Sequence, residues 1–181
     1  MNAFLQRMWP QAALLFLVAA AGCGGGVGRY NVTVRVDEMY KDEHGLPLSL
    51  EVHVRGLTKV ENERWAAMPV SEYFANARAN DRTIVMKFGQ NLEPEQKLSR
   101  TDPIWQKWEE LGVAYLYIAA NIPGVNVEKT GGVDPRKLSL PLNTSCWKSY
   151  KGGKYELPIL IEAPPNGVTC ARPYDPKKAE D

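Results

Sequence analysis

Tyr30-Asn-Val-Thr-Val-Arg-Val-Asp37 and Leu46-Pro-Leu-Ser-Leu-Glu-Val-His-Val-Arg55 decide the fold of this chain. In the first run, Tyr30, Val32, Val34 and Val36 alternate with Asn31, Thr33, Arg35 and Asp37. A strand turns successive side chains to opposite faces, so this alternation marks a strand with one buried face. In the second run, Leu46, Leu48, Leu50, Val52 and Val54 point inward, with Ser49, Glu51, His53 and Arg55 outward. That parity puts His53 on the solvent side. The polar link Glu38–Gly45 then joins the two runs as an antiparallel hairpin.

Downstream, Lys59–Arg64 is charged and Trp65–Met68 apolar, closed by Pro69. Ser71 suits the N-cap of a short helix running to about Arg78. Ile84, Met86 and Phe88 alternate with Thr83, Val85 and Lys87, a third strand, and Gly89–Arg100 reads as a long polar connection. The clearest helix begins at Asp102-Pro103 and ends at Gly112. Asp caps exposed amides, Pro fits the first turn, and Gly accepts the left-handed conformation that ends a helix. Its apolar face is Ile104, Trp105, Trp108 and Leu111.

Val113–Ala120 is continuously apolar, which indicates a central strand covered on both faces, one cover being the helix that carries the two tryptophans. Leu138, Leu140 and Leu142 form a strand that Pro141 sends to a sheet edge, and Tyr155–Ile161 forms another that Pro158 likewise sends to an edge. These elements predict a mainly β fold: an antiparallel β-sandwich, transthyretin-like or immunoglobulin-like, with one or two short helices. A helix-backed α+β sheet is the alternative. Residues 30–170 are read as one domain and the charged, proline-containing 171–181 as a disordered tail.

The other informative stretch lies at the start. Met1–Pro10 carries Arg7 and no acidic residue, and Ala12–Ala21 (AALLFLVAAA) is uninterruptedly apolar. That run is about half the roughly 20 residues a spanning helix needs, and fits the apolar segment of an export signal. Ala20-Ala21-Gly22-Cys23 resembles the lipobox of bacterial lipoproteins. The resemblance implies that residues 1–22 are a lipoprotein signal peptide, that Cys23 becomes diacylated, and that the membrane is reached through this lipid. Ala20 stands where most lipoboxes carry Leu. Glycine rather than aspartate after the cysteine implies the outer membrane where a cell has two. Residues 23–29, with Gly24, Gly25, Gly26 and Gly28, then form a lipidated, flexible tether.

With Cys23 assigned to lipid, Cys146 and Cys170 remain as a pair able to oxidise outside the cytoplasm. A disulfide closing a loop of about 25 residues would stabilise the fold by roughly 3 kcal/mol on the chain-entropy account. The chain carries 22 Lys and Arg against 21 Asp and Glu, a net charge of +1, and loss of Arg7 with the signal brings it closer to zero. A near-neutral chain offers no long-range attraction to nucleic acid, so no nucleic-acid partner is expected.

Catalytic patterns are absent from the sequence: no GxSxG elbow, HExxH helix or glycine-rich phosphate loop. The densest set of candidate metal ligands is Asp37, Glu38, Asp42, Glu43 and His44, which supplies only a fragment of a calcium loop and reads as a solvated connection. No catalytic residue, metal or cofactor is assigned, and an enzyme is not expected.

The order of features also resembles a known family. The lipidated cysteine, a strand, a polar loop, Leu46–Leu57, the aromatic-ended Val70-Ser-Glu-Tyr-Phe74 and the apolar Gly112–Ala120 are similar to the outer-membrane lipoprotein of the type VI secretion system. That family has a transthyretin-like sandwich with added helices. The tryptophan-bearing helix, the expected Cys146–Cys170 disulfide and the charged tail do not map onto it. The resemblance implies a non-enzymatic anchor whose loop after the first strand grips the periplasmic part of a larger membrane protein. Here that loop is Glu38–Gly45, with Tyr40, Asp42 and His44 as the partner-binding residues. The expected function is thus a lipid-anchored structural or adaptor component of the cell envelope. The alternative is a non-catalytic lipoprotein that binds a small ligand or glycan.

Overall fold

The computed structural model describes residues 28–38, 40–42, 44–76, 82–125, 127, 132–143, 155–163 and 166–170. Residues 1–22, read as a signal peptide, together with Cys23, most of the expected tether, Cys146 and the expected tail at 171–181, lie outside the described residues. Among the described residues, eight strands and three helices follow one another as β1 (Asn31–Val36), β2 (Leu50–Leu57), α1 (Lys59–Ala67), α2 (Val70–Asn76), β3 (Thr83–Phe88), β4 (Glu95–Leu98), α3 (Pro103–Glu110), β5 (Tyr115–Ala120), β6 (Lys137–Pro141), β7 (Glu156–Ile161) and β8 (Val168–Cys170). Two four-stranded sheets, ordered β4-β1-β7-β8 and β3-β2-β5-β6, enclose the main core. The sandwich expected from the alternating strands is the architecture found.

The expected hairpin is not. β1 pairs with β4 and β7, while β2 pairs with β3 and β5, so the chain crosses from one sheet to the other between them. Alternation fixes which face of a strand is buried, and Val32 and Val34 of β1 and Val52 and Val54 of β2 are all fully buried. Strands that face each other across a core satisfy that pattern as well as strands side by side. The β1–β7 pair is parallel, the exception in sheets otherwise antiparallel.

His53 requires a second correction. Parity turns it away from Val52 and Val54, but that face is covered by α1 and α2 rather than by solvent, and His53 is 2 % exposed. Its Nδ1 lies 2.9 Å from the Tyr73 hydroxyl and its Nε2 2.7 Å from Glu51 Oε1, so both ring nitrogens are satisfied. The rings of Tyr73 and Phe74 flank it at 5.5 and 4.9 Å between centroids. Arg55, next on the same face, is also buried, with its guanidinium 4.8 Å from the Trp65 ring centre. Leu57, Tyr73, Tyr117 and Ala119 complete this second apolar layer. Burial pushes the Tyr73 hydroxyl up to about 12, with Arg55 pulling weakly the other way.

Helix α1 carries no buried residue and was not legible as a helix. Trp65 alone packs on the second apolar layer, against Tyr73 and Tyr117, and polar contacts hold the rest. Thr58 N–H donates to Glu61 Oε2 at 2.9 Å while Glu61 N–H donates to the Thr58 hydroxyl at 3.3 Å, a reciprocal cap for two otherwise orphaned amides. Glu61 also receives two 2.9 Å bonds from the Arg82 guanidinium. At the other end, Lys137 Nζ donates to Ala66 O and, at 2.9 Å, to Met68 O, a cation on the negative end of the helix.

Helix α3 forms as the sequence demands. The Asp102 side chain accepts from Ile104 N–H at 2.9 Å, Pro103 opens the helix, and Gly112 closes it at φ +67°. Trp105 and Trp108 are wholly buried, their rings edge-to-face at 4.9 Å, whereas Leu111 is 42 % exposed. Both tryptophans join the main core between the sheets, so α3 plugs one end of the sandwich; α1 and α2 provide the outer cover of β5 that the sequence had assigned to α3. Pro158 sits in a central strand, not at an edge. The described β8 reaches only as far as the Ile159–Cys170 pair, so the N–H that Pro158 lacks interrupts no described rung on that side. Strand β4, inside the stretch read as a polar connection, has only Leu98 buried and so carries too short a pattern to show.

Candidate interface at the far end of the sandwich

The strands give the sandwich two distinct ends. Described chain begins at Gly28, whose N–H donates to Leu142 O at 2.7 Å, and Arg29 pairs with both carboxylate oxygens of Glu109 on α3, at 2.9 and 2.5 Å. From there β1 carries the chain about 20 Å, at roughly 3.3 Å per residue, to the opposite end. Strands β2, β4 and β6 all start at that far end, so the described parts of the connections leading into them begin and end there.

The β1–β2 connection holds the residues implied as partner-binding. Asp42 organises it: one carboxylate oxygen accepts from His44 N–H and from Leu46 N–H, each at 2.9 Å. Asp42 N–H donates to Leu46 O at 2.9 Å, Gly45 N–H donates to Asp42 O at 3.0 Å, and Lys41 bridges Pro47. Gly45, at φ +73°, supplies the left-handed residue this turn requires. His44 is exposed at the tip. Tyr40 is not: it is 9 % exposed and packs into the main core, and burial raises its hydroxyl above the ordinary value. The described part of this connection is therefore tied to the sandwich through Tyr40.

Its inner side forms one wall of a cleft of about 370 Å³. Tyr40, Lys41 and Pro47 stand on this wall, with Leu92 and Pro94 of the β3–β4 connection opposite and Val36 and Phe88 at the floor. The two walls are tied together where Val36 N–H donates to Pro94 O at 3.1 Å. Tyr40, Asp42 and His44 share one connection, and the second wall carries no residue that the sequence reading singled out. Leu92, an isolated apolar residue in a polar run and 52 % exposed, was the available signal.

Of the other candidate residues, Cys170 ends β8, half-buried, while Cys146 lies outside the described residues. Among the described residues, no three His, Cys, Asp or Glu side chains converge on a position for a metal ion. The buried Asp134 is spent on Arg136, which donates to it through Nε and Nη2 at 2.9 and 2.8 Å. Burial would raise that carboxyl, but the Arg136 bonds outweigh it and hold it below the usual range.

No protein-family model matches the chain, and no curated protein sequence does. Solved structures do match. One is the C-terminal domain of the type VI secretion protein TssM from EAEC, 15 % identical with a TM-score of 0.50, covering 78 % of this chain and 98 % of that one. Another is Serratia marcescens Lip, a membrane bound component of the type VI secretion system, 13 % identical with a TM-score of 0.50, covering 82 % of this chain and 99 % of that one. The helix-decorated β-sandwich of this chain is thus a fold it shares with components of the type VI secretion system.

Proposed function

We propose that this protein is a lipid-anchored envelope component acting as a non-catalytic structural adaptor in a secretion-type membrane complex. One observation carries the reading: the first described residues and the β1–β2 connection lie at opposite ends of the sandwich. Gly28 and Arg29 lie at the end sealed by α3, and the described part of the β1–β2 connection stands at the other end. A lipid on Cys23, held by a glycine tether, would keep the first end near the bilayer and turn the loop toward a protein partner. The shared fold with Serratia Lip agrees with this assignment, as does the lipobox-like AAGC. The outer membrane is the proposed site where the cell has two.

Two measurements test it. Replacing Cys23→Ser should abolish lipid labelling and move the protein from the membrane to the soluble fraction; unchanged membrane retention would refute the anchor. A photo-crosslinker at His44 should capture a large envelope membrane protein, whereas the same probe at the exposed Gln106 on α3 should not. Equal capture at both positions, or none at His44, would remove the adaptor reading.

A further inference from the structure

Among the described residues, each sheet ends in two edge strands, and three of these four edges are guarded against further pairing. Strand β6 carries Pro141, and β4 has four residues with Glu95 and Lys97 among them. On β8, Val168 N–H is already taken by Pro135 O at 2.7 Å. Strand β3 is the exception. It runs six residues in unbroken register with β2, and Lys87 is its one charged side chain.

The direction of the β3 peptide groups follows from β2. Asn121 N–H donates to Glu51 O at 2.8 Å, so Glu51 turns its peptide groups toward β5. Gly56 O instead accepts from Arg82 Nη2 at 3.4 Å, on the β3 side. Along an antiparallel strand these groups point alternately to one neighbour and the other. The Leu50–Phe88, Val52–Met86 and Val54–Ile84 pairs are therefore the bonded ones, and Val85 and Lys87 turn their peptide groups away from β2. Lys87 O is met there by Gln96 Nε2 of β4. No described residue bonds the N–H or the C=O of Val85.

An open N–H and C=O on an extended strand are complementary to the backbone of another strand. We propose that the β3 edge pairs with the β3 edge of a second copy of this chain, antiparallel about a two-fold axis through Val85. The inference goes beyond the adaptor reading and does not depend on it.

The sequence of β3 selects the second copy. About that axis Val85 meets Val85, each N–H donating to the other's C=O. Ile84 meets Met86 twice on the core-facing side, and Thr83 meets Lys87 twice on the other. Apolar stands against apolar, and no like charges are opposed. Ile84 and Val85 are only half-buried, so pairing removes further apolar surface from water. Pairing with another edge of the same protein would set β3 against the charges of β4 or the missing N–H of Pro141. Only the central Val85 pair is required, so Lys87 O keeps Gln96. A two-fold contact closes on itself and stops at a dimer. One six-residue strand a side, against roughly 20–30 residues a side in a standard interface, makes that dimer weak.

Sedimentation equilibrium of the full chain in density-matched detergent should show a concentration-dependent dimer. Val85→Pro should abolish it, because proline removes the outward N–H and no bond to β2. Thr83→Lys sets like charges against Lys87 of the second copy and should weaken the dimer about fivefold, whereas Thr83→Glu should tighten it. Amide exchange at Val85 should slow as concentration rises, with Ile84 and Met86 unchanged. Melting temperatures verify that each variant is folded; if Val85→Pro does not fold, the Thr83 variants and the exchange rates decide. Cys23→Ser should dimerise as the wild type does. A monomer at every concentration, a folded Val85→Pro that still dimerises, equal affinities of the Thr83 variants, or unchanged exchange at Val85 would overturn the proposal. So would loss of the dimer in Cys23→Ser, which would assign the association to lipid.

Discussion

Gly56 and the Trp108 indole occupy each other's space. A β-carbon on Gly56 would stand 2.7 Å from both Cδ2 and Cγ of the ring, well inside any contact a real side chain makes. Trp108 is wholly buried, and its Nε1 donates to Arg82 O at 3.2 Å, so the ring has no second place to go. The tryptophan is the plug between the two sheets, and the glycine is the recess that lets it seat.

Gly56→Ala should therefore destabilise the protein by about 1–3 kcal/mol through overpacking. Combining it with Trp108→Leu should recover part of that loss, because the two effects share one contact and are not additive. Urea unfolding of the wild type, both single variants and the double variant measures the coupling. Strict additivity would show that the two residues do not interact.

Acid should loosen α1 through Glu61. Burial favours the neutral carboxyl, but the Arg82 guanidinium and the Thr58 amide and hydroxyl outweigh it and hold the group at about 2, against an ordinary value of 4.5. A depressed carboxyl contributes stability above its unfolded value and loses it as protons bind. That contribution should be intact above about pH 4.5 and disappear as the pH falls toward 2. Glu61→Gln should flatten this part of the stability–pH curve and lower stability at pH 7. A variant whose acid limb matches the wild type would place the titration elsewhere.

The cap at Asp102 is worth measuring by itself, because α3 is the element that seals the sandwich. Asp102→Ala removes the acceptor for Ile104 N–H and should cost about 0.5–2 kcal/mol, while Asp102→Asn or Ser should cost much less. Melting temperatures of the three variants distinguish loss of the cap from loss of charge.

Cys146 and Cys170 are proposed to be joined. Strands β6 and β8 touch at the edges of their sheets, and both run toward the end where Gly28 enters; Cys170 closes β8, and Cys146 follows β6 by a few residues of sequence. Protein purified from an oxidising compartment should resist maleimide until reductant is added. Replacing both cysteines by Ser should cost roughly 3 kcal/mol. Labelling of both thiols without reductant would rule the bond out.

Much of this molecule could be read before its structure was in hand, and the reason is local. Alternation of Val32, Val34 and Val36 or of Met86 and Phe88 records burial of one strand face, and Asp102, Pro103 and Gly112 punctuate α3 by backbone chemistry alone. Helix α1 escaped because only Trp65 gives it an apolar contact with the sheet; a cap, an ion pair and Lys137 hold the rest, and two of those partners are remote in sequence.

What the sequence determined by itself was the pairing of strand faces with a core, the helix that would seal it, and an N-terminal segment resembling an export signal. Only the tertiary structure decided which strands lie side by side, that His53 faces a helix layer and not water, that Gly56 must be a glycine, and that the described part of the β1–β2 connection shares a cleft with Leu92. Periodicity is a property of one strand and its solvent; neighbours, covers and clefts arise from contacts between segments far apart in the chain, and no local pattern encodes them.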